Sequence, residues 1–134
     1  MHTKTLYRSL VLLLPAGLLL LASGRAAAQT GPQVVHLANI EIYPEQLVPY
    51  QAALKEHIET ALRVEPGVLT LYPVADTKHP THITVLEIYA NSAAYQSHLQ
   101  SPHFLKYKSG TKAMIKSLEL IDTVPLLPGL KVKN

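Results

Sequence analysis

From Val34 to Val124 the apolar residues change their repeat along the chain, from every second residue to every third or fourth and back, and that alternation admits few folds. Val34, His36, Ala38, Ile40 and Ile42 mark one face of a first strand running to Tyr43, with Val35, Leu37, Asn39 and Glu41 on the other. Pro44 opens a helix in which Leu47, Tyr50, Leu54, Ile58, Ala61 and Leu62 form an apolar stripe. Glu65-Pro66-Gly67 stops it, because Pro disfavours helical geometry at the residue before it and Gly permits the sharp exit. Val68–Val74 and Thr81–Tyr89 read as a hairpin across the polar turn Asp76–Pro80. Asn91 or Ser92 caps a short helix to Leu99. Ser101-Pro102 begins another, whose buried stripe is expected at Phe104, Tyr107, Thr111, Met114 and Leu118. Leu118–Val124 is the last strand, and Pro125 and Pro128-Gly129 end regular structure.

The order is strand, helix, strand, strand, a helix broken in two, strand. It predicts an α+β domain of the ferredoxin-like, split βαβ kind, a four-stranded antiparallel sheet with helices on one face. A sheet covered on one side ordinarily has a polar outer face. Here the third strand offers His82, Thr84, Leu86 and Ile88 on one side and Ile83, Val85, Glu87 and Tyr89 on the other, both largely apolar. A second copy docked sheet to sheet, a two-fold homodimer, is the economical cover.

Outside this domain (residues 34–124) the chain reads differently. Lys4 and Arg8 precede an apolar run of about 13 residues, Leu10 to Ala22, and Ala26-Ala27-Ala28 follows. Basic end, apolar middle and small-residue exit mark residues 1–28 as a secretory signal peptide. The run falls short of the ~20 residues of a membrane-spanning helix, so no membrane attachment is expected after cleavage. Residues 29–33 are a linker and 125–134 a tail. The leader holds three of the 12 basic residues and no acidic one, so the mature part balances nine basic against nine acidic residues and gives no footprint for nucleic acid. Without cysteine, disulfides and thiolate chemistry are excluded. The expected location is the periplasm or the medium.

Glu65-Pro66-Gly67, Leu86-Glu87-Ile88-Tyr89, Ala93-Ala94-Tyr95 and the run His98-Leu99-Gln100-Ser101-Pro102-His103-Phe104 together resemble the antibiotic-biosynthesis and quinol-monooxygenase family, over about Val34 to Val124. The resemblance implies a dimeric α/β barrel of two ferredoxin-like domains with facing sheets. It implies, for some members, oxygenation of phenols, anthrones or quinols by O2 with no metal, flavin or other cofactor. Other members are isomerases, haem degraders or proteins without known activity. The family often carries Trp where Tyr89 stands. The haem-degrading branch uses an Asn, a Trp and a haem-ligating His; Asn39 and Tyr89 stand near the first two, and no His lies near Lys108.

Oxygenation without a cofactor requires a base near neutrality, a dry pocket and polar groups that fix the substrate oxygens. His98 and His103 are the candidate catalytic bases, since imidazole titrates near ~6.5. Asn39, Tyr72, Tyr89 and Phe104 are the candidate substrate-binding residues for a small aromatic. Glu87, mid-strand in an apolar run, needs a partner, expected across the dimer. Asp76, His79 and His82 form a solvated turn rather than a metal site, no metal site is expected elsewhere, and His36 and His57 stand alone. Lys106, Lys108, Lys112 and Lys116 read as a solvated face. The first reading is a cofactor-independent monooxygenase acting on a quinol, phenol or related aromatic. The alternatives are a non-catalytic small-molecule-binding dimer and an isomerase of a carbonyl substrate.

Overall fold

The computed structural model describes residues 31–128; the expected leader, the start of the linker and the end of the tail lie outside the described residues. The elements are β1 (Val34–Ile42), α1 (Leu47–Val64), β2 (Val68–Ala75), β3 (His82–Tyr89), α2 (Ser92–Leu99), α3 (Pro102–Thr111) and β4 (Ile115–Thr123). Single 3-10 turns at Pro44–Gln46 and Lys112–Met114 lead into α1 and β4. The sheet is antiparallel with strand order β2-β3-β1-β4, the predicted ferredoxin-like arrangement. No helix among the described residues is long and apolar enough to cross a membrane.

The even-numbered residues of β1, from His36 to Ile42, are the buried face, as the alternation predicts. Ala38, Ile40 and Ile42 join Ile83, Val85 and Tyr89 of β3 and Val68 and Leu71 of β2 under Tyr50, Leu54, Ile58 and Ala61 of α1. Each of the larger side chains contributes about 2 kcal/mol by leaving water. The α1 stripe differs from the expectation at two positions. Leu62 is half exposed, and His57 takes a buried place one turn before Ala61.

Local chemistry sets the ends. Glu65 caps α1 with its N–H on the Ala61 carbonyl, and Pro66 cannot continue the helix. A Cβ on Gly67 would meet Ala94 Cβ at 2.5 Å, so the crossing of α2 over the start of β2 accepts only glycine. The Asn91 side chain accepts from Ala94 N–H at 2.9 Å and Ser101 from Phe104 N–H at 3.3 Å, with Pro102 in the first turn of α3.

One boundary was misjudged. The helical stripe expected to reach Leu118 ends at Thr111, and β4 begins at Ile115, which pairs with Ile42 across a register shift in β1. Leu118 and Leu120 therefore face the helix side of the sheet, opposite Ile40 and Ala38, and stay about half exposed. The other side of the sheet carries Val35, Leu37, Leu86 and Ile88, with Tyr72 and Val74 exposed on β2.

Candidate active site

The two histidines of the helix junction meet at one carboxylate. His98 Nδ1 donates to Glu65 Oε1 at 2.8 Å, and His103 Nε2 donates to the same oxygen at 2.5 Å. Ser101 Oγ, 3.1 Å from His103 Nε2, donates to the His98 carbonyl and so ties the α2–α3 turn to the same cluster. His98 is almost fully buried, and Glu65 and His103 keep only a small exposed fraction. Glu65 is the residue that caps the C-terminus of α1, directly before the Pro-Gly stop. The sequence reading took Glu65 as a stop signal and missed this role.

His57 is not solitary either. Its ring stacks on Tyr107 with centroids 4.8 Å apart and planes 11° apart, and lies 5.2 Å from His98 and 5.6 Å from His103. Burial first, then the neighbouring imidazoles, press its pKa down to about 4, with Glu65 pulling the other way. A small hollow of about 140 Å³ lies against His57, His103 and Tyr107. His36 is likewise buried, with Nε2 3.1 Å from Asp122 and its ring edge-on to Tyr95.

Glu65, His98 and His103 bring a carboxylate oxygen and two ring nitrogens within 4.8 Å of one another, the one set among the described residues that could hold a metal ion. The donor types suit a divalent transition metal. As the site stands, each of those atoms already makes a hydrogen bond within the cluster. Asp76 instead closes its turn by accepting from Lys78 N–H at 2.6 Å and His79 N–H at 3.0 Å, in the solvated loop expected there.

A second polar pair opens onto a cavity. Between the helix side of the sheet and α2–α3 lies a hollow of about 330 Å³, walled by Tyr89, Tyr95, Phe104 and Tyr107 and floored by Ala38, Ile40, Leu118 and Leu120. Glu87 and Lys108 are the charged side chains that line it. Tyr89 Oη donates to Glu87 Oε2 at 3.0 Å. Burial raises the Glu87 pKa, with the Tyr89 hydrogen bond and the charges of His36 and His98 opposing. Burial also raises the Tyr89 and Tyr107 hydroxyls, and Tyr107 shares a 2.6 Å hydrogen bond with Tyr50. Glu87 finds a partner, Tyr89, within the chain on the helix side of the sheet.

The predicted site residues thus separate into three places. Tyr89 and Phe104 wall the cavity. His98 and His103 lie behind it; the His98 ring packs 5.3 Å from Tyr89 and 5.0 Å from Phe104. Asn39 and Tyr72 are on the opposite side of the sheet. Asn39 accepts from Thr84 Oγ1 at 2.9 Å beside an open groove of about 570 Å³, and Tyr72 is exposed. Sequence reasoning passed over Glu87 as a cavity residue, although an acid at an inward-facing position of an apolar strand was the available signal.

The sequence profile described as antibiotic biosynthesis monooxygenase matches residues 33–109. A crystal structure from Bacteriodes thetaiotaomicron VPI-5482, provisionally named an antibiotic biosynthesis monooxygenase, is similar at 57% identity and a TM-score of 0.75, over 76% of this chain and 97% of that one. A provisionally named monooxygenase from Lactobacillus acidophilus NCFM is 26% identical with a TM-score of 0.66, over 68% of this chain and 43% of that one. A protein from Nitrosomonas europaea shares the fold at 17% identity and a TM-score of 0.68, over 74% of this chain and 95% of that one. No curated protein matches the chain.

Proposed function

The chain belongs to the antibiotic biosynthesis monooxygenase family, and from that premise we propose that it oxygenates a small electron-rich aromatic, a quinol or phenol, using O2 and its own residues, in the cavity between the sheet and α2–α3. The observation that carries this reading is a carboxylate set in an aromatic-walled hollow: Glu87, its pKa raised by burial and its oxygen held by Tyr89.

The chemistry follows from that placement. A phenol bound with its hydroxyl at Glu87 gives its proton to the carboxylate as the electron-rich ring passes an electron to O2. The pair of radicals joins at a ring carbon. Loss of that carbon's hydrogen and cleavage of the O–O bond leave a quinone and one water, so phenol plus O2 gives quinone plus water with every electron drawn from the substrate. Aromatic walls exclude water and stack on the ring. His98 and His103 enter as positioning residues, since Glu65 fixes His98 and the His98 ring backs both Tyr89 and Phe104.

The proposal includes export by the leader and a homodimer formed through the apolar face that carries Leu37, Leu86 and Ile88. Asn39 and Tyr72 then belong to the interface. Sedimentation of the mature chain tests this part: a dimer is expected, and Leu86→Asp shifts it to monomer. The activity test is turnover under ¹⁸O₂ with 1-naphthol and reduced naphthoquinones. One labelled oxygen in the quinone is expected. Unlabelled product with peroxide, product of unchanged mass, or binding without O2 uptake each overturns the oxygenase reading.

A further inference from the structure

Four lysines, at 106, 108, 112 and 116, follow one another at short spacing and look alike in sequence. In the fold they part company. Lys106 pairs with Glu56 at 2.5 Å and Lys116 with Glu41 at 2.6 Å, both on the outer surface. Lys112 makes no ion pair among the described residues and lies in the 3-10 turn before β4. Lys108 also lacks a carboxylate partner among the described residues, and it alone of the four lines the aromatic cavity. Its ammonium lies 6.0 Å from the centroid of Phe104, one of the cavity walls. Lys108 is exposed, so that its charge stands at the rim of the cavity with the Phe104 ring beside it.

The cavity therefore presents an apolar and aromatic surface, one acid half-buried within it and one unneutralised cation at its edge. An uncharged phenol would satisfy the walls and Glu87 and leave Lys108 without a counter-charge. A ligand with a hydroxyl at one end and a carboxylate or sulfonate at the other would satisfy all three. We infer that Lys108 is a specificity-determining residue, and that the substrate is a one- or two-ring phenol bearing an anionic substituent remote from its reacting hydroxyl. The size limit comes from the cavity, about 330 Å³. The inference rests on the cavity being the aromatic site proposed above. It assigns Lys108 to recognition, not to the proton and electron steps.

Binding isolates this claim from turnover. The purified chain is titrated anaerobically with 6-hydroxy-2-naphthoate and with 2-naphthol, two probes that differ only in the remote carboxylate. An ion pair at an exposed rim is worth up to about 5-fold in affinity. The naphthoate is expected to bind tighter by about that factor, with the preference shrinking as salt is raised. Lys108→Gln is expected to erase the preference and leave 2-naphthol affinity in place; Lys108→Arg should keep it, and Lys108→Glu should reverse it. Equal affinity of the wild type for both probes overturns the inference while leaving the cavity reading intact. An equal loss for both probes in Lys108→Gln also overturns it, since Lys108 would then serve the ring or the hydroxyl. Binding of neither probe overturns the cavity reading and this inference together.

Discussion

Glu65 and Glu87 are both carboxylates held by aromatic or imidazole donors under the same helices, and they are built for opposite purposes. Glu65 accepts from two imidazoles at one oxygen, in a junction whose groups hydrogen-bond to one another and to the backbone. Glu87 accepts from one hydroxyl and faces a cavity. A carboxylate oxygen held by two imidazoles in a packed junction fixes geometry, because a change of its position breaks both bonds at once. A half-partnered acid beside a void keeps a lone pair for an incoming ligand, and burial makes it a stronger base than a surface carboxylate. The comparison teaches that the first cluster is the frame of the second: His98 binds Glu65 with one edge and backs Tyr89 with its ring.

Substitutions should separate the two. Glu87→Gln keeps the shape of the cavity and removes the base, so kcat is expected to fall roughly 10³-fold with unfolding free energy held or raised. A variant that keeps its kcat would merge the two acids into one structural class. Glu65→Ala strands two inward-pointing imidazoles and is expected to cost about 4 kcal/mol in urea unfolding, with KM and kcat changing far less than in Glu87→Gln. A stable Glu65→Ala protein without turnover would reverse the assignment of the two carboxylates.

The pH response of the frame sharpens the contrast. His57 has a folded pKa near 4 against 6.5 for the free side chain. Between those values the unfolded chain holds a proton that the folded chain does not, so stability falls as pH drops from about 6.5 to about 4, and this contribution levels off below that. The loss is expected to reach roughly 3 kcal/mol by denaturant titration at each pH. The imidazoles of His98 and His103, the Glu65 carboxylate and the Tyr107 ring surround the group, and His57→Leu should flatten this window. The smallest effect is expected for Tyr107→Phe, which leaves the Tyr50 hydroxyl without its partner and should cost about 1 kcal/mol by thermal unfolding.

Much of this architecture is legible in the chain because the signals are local. Alternation named the buried side of β1, Pro66-Gly67 ended α1, and Ser101-Pro102 started α3. The junction of α3 with β4 was read too late because the apolar spacing from Phe104 to Leu118 continues across it; pairing of Ile115 with Ile42, far away in sequence, decides the boundary. The site was legible only in pieces. Tyr89 and Phe104 stand at the cavity, and His98 and His103 stand together. Their common partner Glu65 lies 33 and 38 residues earlier, a distance at which no spacing rule operates. His57 follows the charged Lys55 and Glu56, so its burial is decided by helices that pack over it later in the chain. Lys112 and Lys116 fall beyond α3, and of the two lysines on that helix Lys108 is turned to the cavity and Lys106 to Glu56.

The most direct test of the division between the two acids is a crystal structure of the mature chain with 1-naphthol bound under nitrogen. The ring is expected between Tyr89 and Phe104, with its oxygen in hydrogen-bond contact with Glu87 and the Glu65–His98–His103 cluster unchanged. A naphthol oxygen resting on His98 or His103, or a ring seated on the far side of the sheet beside Asn39 and Tyr72, would contradict it.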